Sequence, residues 1–256
     1  MKLSFKNIAL IAGAALLLTS CQKKESTVLK TSNEVHFMFN NYFGNEELAL
    51  NSGNYTTSQN EQVTINTFNY WITNIRFIKS DGSEYAEEES YHLVRGNKSA
   101  THHFHVEDIP AATYTGIKFM IGVDVPRNTS GAQTGELDPA VNGDMFWTWN
   151  TGYIQAKLEG TSPQSNETDN AFTYHVGGVA AGMETPREVT LTFGADLVVG
   201  EQAGSIDVMA DAAKWFGPGN PVKIAMTPTM TMPGAMAVKM ADNYAKMFSI
   251  MSVGNE

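Results

Sequence analysis

Cys21 is the only cysteine among the 256 residues of the chain. Without a second thiol the chain cannot close an internal disulfide, and it has no cysteine cluster for zinc. Lipidation of Cys21, which its sequence context predicts, would leave no thiolate, so that any metal site must use histidine, carboxylate, methionine or carbonyl ligands. Stability must come from an ordinary hydrophobic core, for which a chain of this length is sufficient.

Basic residues are also scarce. The chain has 17 Lys and Arg against 27 Asp and Glu, which gives a formal net charge of -10. A nucleic-acid surface needs clustered cations to displace counterions from phosphate, so this composition excludes a nucleic-acid partner. The chain also lacks a phosphate-binding glycine loop, a Gly-x-Ser-x-Gly elbow and a His-Glu-x-x-His pair. We therefore predict a protein that is not an enzyme.

The first twenty residues have the pattern of a bacterial export signal. A basic start precedes an apolar run from Ile8 to Leu18 that is too short to span a bilayer comfortably. The run ends at Leu18-Thr-Ser-Cys21, which resembles a lipobox, where the signal peptide is cleaved and the new terminal cysteine is acylated. The alternative is an ordinary signal peptide with an incidental cysteine.

This pattern predicts three regions. Residues 1–20 form a lipoprotein signal peptide, residues 21–33 form a polar tether, and residues 34–256 form one β-rich domain. Lipidation of Cys21 would attach the protein to a membrane through its acyl chains. The predicted location is the bacterial cell envelope, as a periplasmic or outer-membrane lipoprotein.

From Glu34 onward the sequence alternates between short strands and turns. Val35, Phe37 and Phe39 alternate with more polar residues, as in a half-buried strand. Many short strands without amphipathic helices between them favour a β-sandwich over a parallel α/β sheet. We predict an all-β fold, a single β-sandwich domain. The further strand candidates are 63–67, 70–79, 91–94, 103–106, 113–123, 145–159, 171–176, 189–193 and 205–208.

The C-terminal region has a different pattern. Four methionines recur at helical spacing between Gly234 and Met251, which predicts a short C-terminal amphipathic helix. Thioethers bind Cu(I), but methionine on a helix face more often serves as adaptable packing material.

Two of the four tryptophans lie side by side in the middle of the chain. On an extended strand, Trp147, Trp149 and Tyr153 would point to the same face. They are interpreted either as core anchors of a sheet or as the lining of a groove.

Six histidines remain as candidate ligands. His92 lies in a plain strand pattern, where a hydrogen-bonded structural role is expected. His103 and His105 share the solvent face of a predicted strand. Such a pair can bind adventitious metal, but a functional site needs a third ligand and surrounding support. The neighbouring sequence offers only Glu107 and Asp108.

His36 and His175 each lie within a predicted strand, between apolar neighbours. They are far apart in sequence and could meet on adjacent strands, but spacing alone does not pair them. Asp124 and Asp138 lie in turns, where a carboxylate either coordinates a structural Ca²⁺ or caps the turn.

The densest motifs lie in the middle of the chain. Leu137-Asp-Pro139 is followed by Met145-Phe-Trp-Thr-Trp-Asn-Thr-Gly-Tyr-Ile154, Lys157-Leu-Glu-Gly160 and Tyr174-His-Val-Gly-Gly178. Together with Gly122-Val-Asp124, these strings resemble the MbnP-like family of periplasmic copper-binding proteins, which is named for members encoded with methanobactin. The resemblance extends over nearly all of the predicted mature chain.

The resemblance implies a β-rich envelope protein that holds copper. In some members of the family, copper is held by histidines and by a tryptophan that a di-haem peroxidase-like partner oxidises to kynurenine. The matching positions here are His36, His175 and Trp147 or Trp149. Imidazole suits copper, and an aromatic wall would exclude water from the ion. The implied function is metal acquisition or trafficking.

A second interpretation stays open. Trp147, Trp149 and Tyr153 would line a groove for glycan or peptide in a metal-free structural or ligand-binding lipoprotein. A glycan-binding surface would need exposed aromatics with polar neighbours. Phe146, Ile154 and Leu158 instead place apolar groups on the other face of this strand, which weakly disfavours this interpretation.

Overall fold

The computed structural model describes residues 31–131, 133–150, 152–217 and 219–255. The predicted signal peptide, Cys21 and most of the predicted tether lie outside the described residues. In the described part of the chain, no helix has the length and apolar character required to cross a membrane.

Strands make up most of the regular structure. In chain order they are β1 (Ser32–Phe43), β2 (Glu46–Glu47), β3 (Tyr55–Thr56), β4 (Gln62–Lys79), β5 (Glu84–Ala86), β6 (Tyr91–Arg95), β7 (His103–Pro110), β8 (Ala112–Ile121), β9 (Phe146–Trp147), β10 (Gly152–Thr161), β11 (Ala171–Gly177), β12 (Arg187–Val199), β13 (Gly204–Asp211), β14 (Thr229–Met230) and β15 (Phe248–Asn255). The α-helices are α1 (Val125–Thr129), α2 (Pro139–Asn142) and α3 (Ala235–Tyr244). Short 3-10 turns occupy Ser99–Thr101, Gly135–Leu137, Gly143–Met145, Thr168–Asn170 and Ala212–Phe216.

The strands form two sheets. The smaller sheet has the order β15-β13-β1, with β7 and β2 along the other edge of β1. Strand β1 pairs in parallel with β13 and antiparallel with β7. The larger sheet follows the path β12-β8-β4-β10-β11-β14, and the shorter strands β3, β5 and β6 pair with β4. The all-β sandwich predicted from the sequence is therefore confirmed.

The main core lies between the two sheets. Phe37 and Phe39 of β1 point inward and are almost fully buried. Their rings contact Phe77 and Tyr70 of β4 and Phe119 of β8. Since successive side chains of a strand point to opposite faces, His36 and Met38, which flank Phe37, point outward.

A second apolar cluster covers the outer face of the larger sheet. Trp71 of β4 points away from the main core and is fully buried by the segment that connects β8 to β10. Its ring meets Tyr153 edge-on at a centroid distance of 6.0 Å. The other buried members of this cluster, here called the outer layer, are Leu93, Val123, Leu137, Met145, Trp147 and Ile154.

Several boundaries differ from the sequence predictions. The strands predicted at 63–67 and 70–79 form one continuous strand, β4. The predicted strand 145–159 is a hairpin, in which Gly152 of β10 pairs back with Trp147 of β9. The predicted helix 234–251 ends at Tyr244, and the following residues form β15 on the edge of β13. Pairing with an open sheet edge satisfies a whole row of backbone groups, which outweighs the helical spacing of the methionines.

Candidate metal centre

A surface groove brings together one of the predicted histidines and both predicted tryptophans. Trp147, Trp149, His175, Thr231 and Met232 line it. Three neighbouring segments place these side chains: the β9–β10 hairpin, β11 beside β10, and β14 in parallel with β11. The groove lies at the edge of the outer layer.

The hairpin gives the two tryptophans different environments. Trp147 ends β9 and is 5% exposed, whereas Trp149 lies in the turn and is 59% exposed. Their ring centroids are 5.3 Å apart, at an interplanar angle of 39°. Tyr153 is buried, and its hydroxyl donates a hydrogen bond to the carbonyl of Leu137. The prediction that all three rings share one strand face is therefore wrong, because the turn reverses the chain after Trp147.

Two glycines make room for the walls of the groove. A Cβ atom at Gly177 would lie 2.6 Å from Cζ3 of Trp147. At Gly178, where φ is +120°, a Cβ atom would lie 2.8 Å from Cβ of Pro233. The Gly-Gly pair that follows His175 in the sequence thus lets Trp147 and the segment containing Met232 approach the end of β11.

His175 is held on the outer face of β11 by a carboxylate. Its Nε2 lies 2.5 Å from Oε1 of Glu159 on β10. The hydrogen bond with His175 is the main cause that holds the pKa of Glu159 below its usual value. Carboxylates that orient an imidazole in this way are frequent around metal ligands. With Nε2 engaged, Nδ1 is the nitrogen that the ring would present to a metal.

His36 does not lie in this groove. It points outward from the smaller sheet, whereas His175 points outward from the larger sheet, directly opposite Lys157 on β10. The main core lies between the two histidines. Since packed sheets are separated by about 10 Å, these two imidazoles cannot reach one ion. The predicted convergence of His36 and His175 is therefore contradicted by the arrangement of the sheets.

His36 instead lies beside the two histidines of β7. It pairs directly with His105, and their ring centroids are 5.3 Å apart. The His103 centroid is 5.6 Å from that of His36 and 5.4 Å from that of His105. Nε2 of His36 lies 3.3 Å from Oε1 of Glu34. The sequence around His103 offered no third imidazole. In the structure it comes from His36 of β1, because β1 pairs with β7, a pairing that the spacing of the histidines in the sequence could not predict.

The other two histidines have structural contacts. Nε2 of His92 lies 3.0 Å from both carboxylate oxygens of Glu87, and its ring stacks on Phe104 at 3.9 Å. His102 has its Nε2 2.9 Å from the backbone oxygen of Arg95. The structural role predicted for His92 is confirmed.

The two candidate calcium ligands are both helix caps. Asp124 accepts a hydrogen bond from the backbone N–H of Arg127 at the start of α1 and another from the hydroxyl of Tyr91. Asp138 accepts one from the backbone N–H of Ala140 at the start of α2. The sequence analysis left two roles open for these aspartates, calcium binding and capping, and in the structure both are N-cap residues.

Comparisons with known proteins agree with the fold. The MbnP family model matches residues 32–233. The structure of MbnP from Methylosinus trichosporium is similar, with a TM-score of 0.54 and 14% sequence identity, over 88% of this chain and 99% of that chain. No curated protein sequence matches the chain. The family match spans both the groove and the cluster of three histidines, whereas the structural similarity bears on the fold alone.

Proposed function

The chain belongs to the MbnP family, and from this premise we propose that it is a copper-binding, non-enzymatic lipoprotein of the bacterial cell envelope. In this proposal the protein holds Cu(I) in the groove of His175, Trp147, Trp149 and Met232 and serves metal acquisition or trafficking. The observation that carries the proposal is the meeting of an imidazole, a thioether and two indoles in one groove.

The donor set of the groove suits a soft monovalent ion. Thioether and imidazole are ligands that Cu(I) accepts, and the face of an indole attracts a nearby cation. Lys157 lies directly opposite His175, with its Nζ 2.6 Å from the backbone oxygen of Asp144. The carboxylate of Glu159 beside His175 offsets this positive charge, so the preference for Cu(I) rests on the soft ligands of the groove.

We also propose that Trp149 is the tryptophan that an oxidising partner of the di-haem peroxidase class would modify. It is 59% exposed, while Trp147 is 5% exposed and packed into the outer layer. A protein-sized oxidant can therefore dock against Trp149 without disturbing the core. Intact-mass analysis of the Trp149→Phe and Trp147→Phe variants from the native host tests this choice, since only Trp149→Phe should remove an added mass.

Titration with Cu(I) under competition from a chelator tests the groove. We expect His175→Ala and Met232→Leu each to weaken Cu(I) binding at least about 10-fold, because each removes one of few ligands. Met226→Leu is the matched control, since Met226 is 79% exposed and does not line the groove. If His175→Ala binds Cu(I) with the same affinity as the unmodified protein, copper does not bind in the groove.

Membrane attachment through Cys21 is proposed from the lipobox-like sequence alone. Replacement of Cys21 by Ala should release the protein from the membrane fraction into the soluble fraction. Persistence of the variant in washed membranes would place the anchor at another position.

A second candidate function is glycan or peptide binding at the same groove. The exposure of Trp149 favours it, because an exposed aromatic next to a groove is a common ligand platform. A loss of glycan or peptide binding in Trp149→Ala, with no Cu(I) affinity in the natively produced protein, would support this function over copper binding.

A further inference from the structure

The outer face of the smaller sheet carries two rows of metal-binding side chains. Alternation along β1 places Glu34, His36 and Met38 on this face, and alternation along β7 places His103 and His105 there. The strand register joins the rows, since His36 pairs with His105 and Met38 pairs with His103. The three histidines therefore lie together because of the strand pairing, and not because they are close in the sequence.

The spacing of the three rings matches that of a metal ligand set. Oxygen or nitrogen atoms of Glu34, His36 and His105 lie within 4.8 Å of one another. With a metal–nitrogen bond of ~2.0 Å, the ring centroids of three tetrahedrally arranged imidazoles lie roughly 5 Å apart. The measured centroid distances are 5.3, 5.4 and 5.6 Å. His103 lies outside this group of ligand atoms, and its exposed side chain would have to rotate to join it.

The charges around the cluster favour a divalent ion. Glu34 supplies a carboxylate beside His36, and His105 borders a cavity that is also lined by Glu88, Glu107 and Asp108. A carboxylate near a bound cation lowers the energy of that cation. The register of β1 and β7 also shifts between Asn33 and Val35, next to Glu34, and such bulges re-aim neighbouring side chains.

We propose that Glu34, His36, His103 and His105 form a second metal site, separate from the groove, that binds a divalent ion of the Zn²⁺ or Cu²⁺ type. Three imidazoles and one carboxylate suit these ions, whereas the thioether and indoles of the groove suit Cu(I). The inference goes beyond the proposed function, because it concerns another face, another donor set and another oxidation state.

The position of the site makes its metal exchangeable. His103 and His105 are exposed, while His36 and Glu34 are half-buried. A chelator or a partner protein can therefore approach the ion directly from solvent. An accessible site of this kind suits transfer of the ion to or from a partner better than long-term storage of the ion.

Zn²⁺ titration of the untagged protein against a chromogenic chelator tests the proposal. We expect at least about a 100-fold loss of affinity when His103→Gln and His105→Gln are combined, and at least about a 10-fold loss in His36→Gln. His102→Gln is the matched control, because His102 adjoins the cluster in sequence but bonds to the backbone of Arg95. His175→Ala should leave Zn²⁺ affinity within about twofold, a result that separates this site from the groove.

Electron paramagnetic resonance of one equivalent of Cu²⁺ gives a second measurement. We expect coupling to three nitrogens in the unmodified protein and to one in the combined His103→Gln, His105→Gln variant. Thermal unfolding of the metal-free variants verifies that they fold. The proposal is overturned by unchanged Zn²⁺ affinity in the folded combined variant, by an equal loss in His175→Ala, or by no competition with the chelator in the unmodified protein.

Discussion

The groove and the histidine cluster lie on opposite outer faces of the same sandwich, and they differ in what supports them. The outer layer buries Trp147 against the larger sheet, so one wall of the groove is also a core residue. No such layer covers the cluster within the described residues, and two of its three histidines are exposed. In the groove, Trp147 is thus fixed by packing and His175 by its hydrogen bond with Glu159, whereas the side chains of the cluster are positioned by strand register.

This difference means that substitutions on the two faces should have different effects. A change at Trp147 affects both metal binding and stability, because this wall of the groove is buried in the outer layer. A change in the cluster affects metal binding alone, since exposed side chains contribute little to folding. The predictions below test this separation, beginning with the largest effect.

Removal of the Trp147 side chain should give the largest loss of stability. We expect Trp147→Ala to lower the free energy of unfolding by about 3–5 kcal/mol, as for large aromatics in cores. Urea denaturation measures the change. Trp149→Ala and His105→Ala are the controls, and each should stay within about 1 kcal/mol, since both side chains are exposed. If Trp147→Ala costs no more than Trp149→Ala, the outer layer does not support the groove.

An added methyl group should also destabilise the larger sheet, beside the groove, more than the smaller sheet. Gly177→Ala would place a Cβ atom 2.6 Å from Trp147, so we expect a loss of about 1–3 kcal/mol by overpacking. Gly254 of β15 is the control in the smaller sheet, where the nearest atom to an added Cβ is Oγ of Ser205 at 3.8 Å. Thermal unfolding of Gly254→Ala should match the unmodified protein. Equal losses at both glycines would show that the room beside Trp147 is not limiting.

The smallest effect concerns the pairing of His175 with Glu159, and it depends on pH. Because the folded protein holds the pKa of this carboxyl below its usual value, the pair stabilises the fold above the unfolded carboxyl pKa of about 4.3. That stabilisation disappears as the pH falls through the lower, folded pKa. We expect His175→Ala to cost about 1 kcal/mol at neutral pH and less in acid.

Nuclear magnetic resonance titration follows the same carboxyl directly. The pKa of Glu159 should rise in His175→Ala and stay unchanged in His103→Ala, whose side chain lies on the other face of the sandwich. An unshifted Glu159 in His175→Ala would mean that the hydrogen bond is not the main cause of the lowered pKa.

The sequence was sufficient to predict the fold class and the faces of several strands. The alternation of Val35, Phe37 and Phe39 correctly predicted an inward apolar face and, with it, an outward His36. The prediction that His103 and His105 face solvent is confirmed as well. These successes depend on local periodicity, which a strand imposes whatever its partners are.

The partners themselves could not be predicted. Whether His36 lies beside His175 or beside His105 depends on which strands pair, and no local pattern encodes that choice. The turn after Trp147 was also missed, although Asn150 and Gly152 are residues that favour turns. Long-range pairing thus decided which histidines meet, and turn chemistry decided which tryptophan is exposed.

The parallel pairing of β1 with β13 has a consequence for how the chain matures. Val35 pairs with Gly204, so one edge of the first strand has no partner until most of the polypeptide has left the ribosome. Contacts between such distant residues slow folding, because a long loop must close before they form. A nascent chain of this topology therefore stays unfolded for longer than one built from local hairpins.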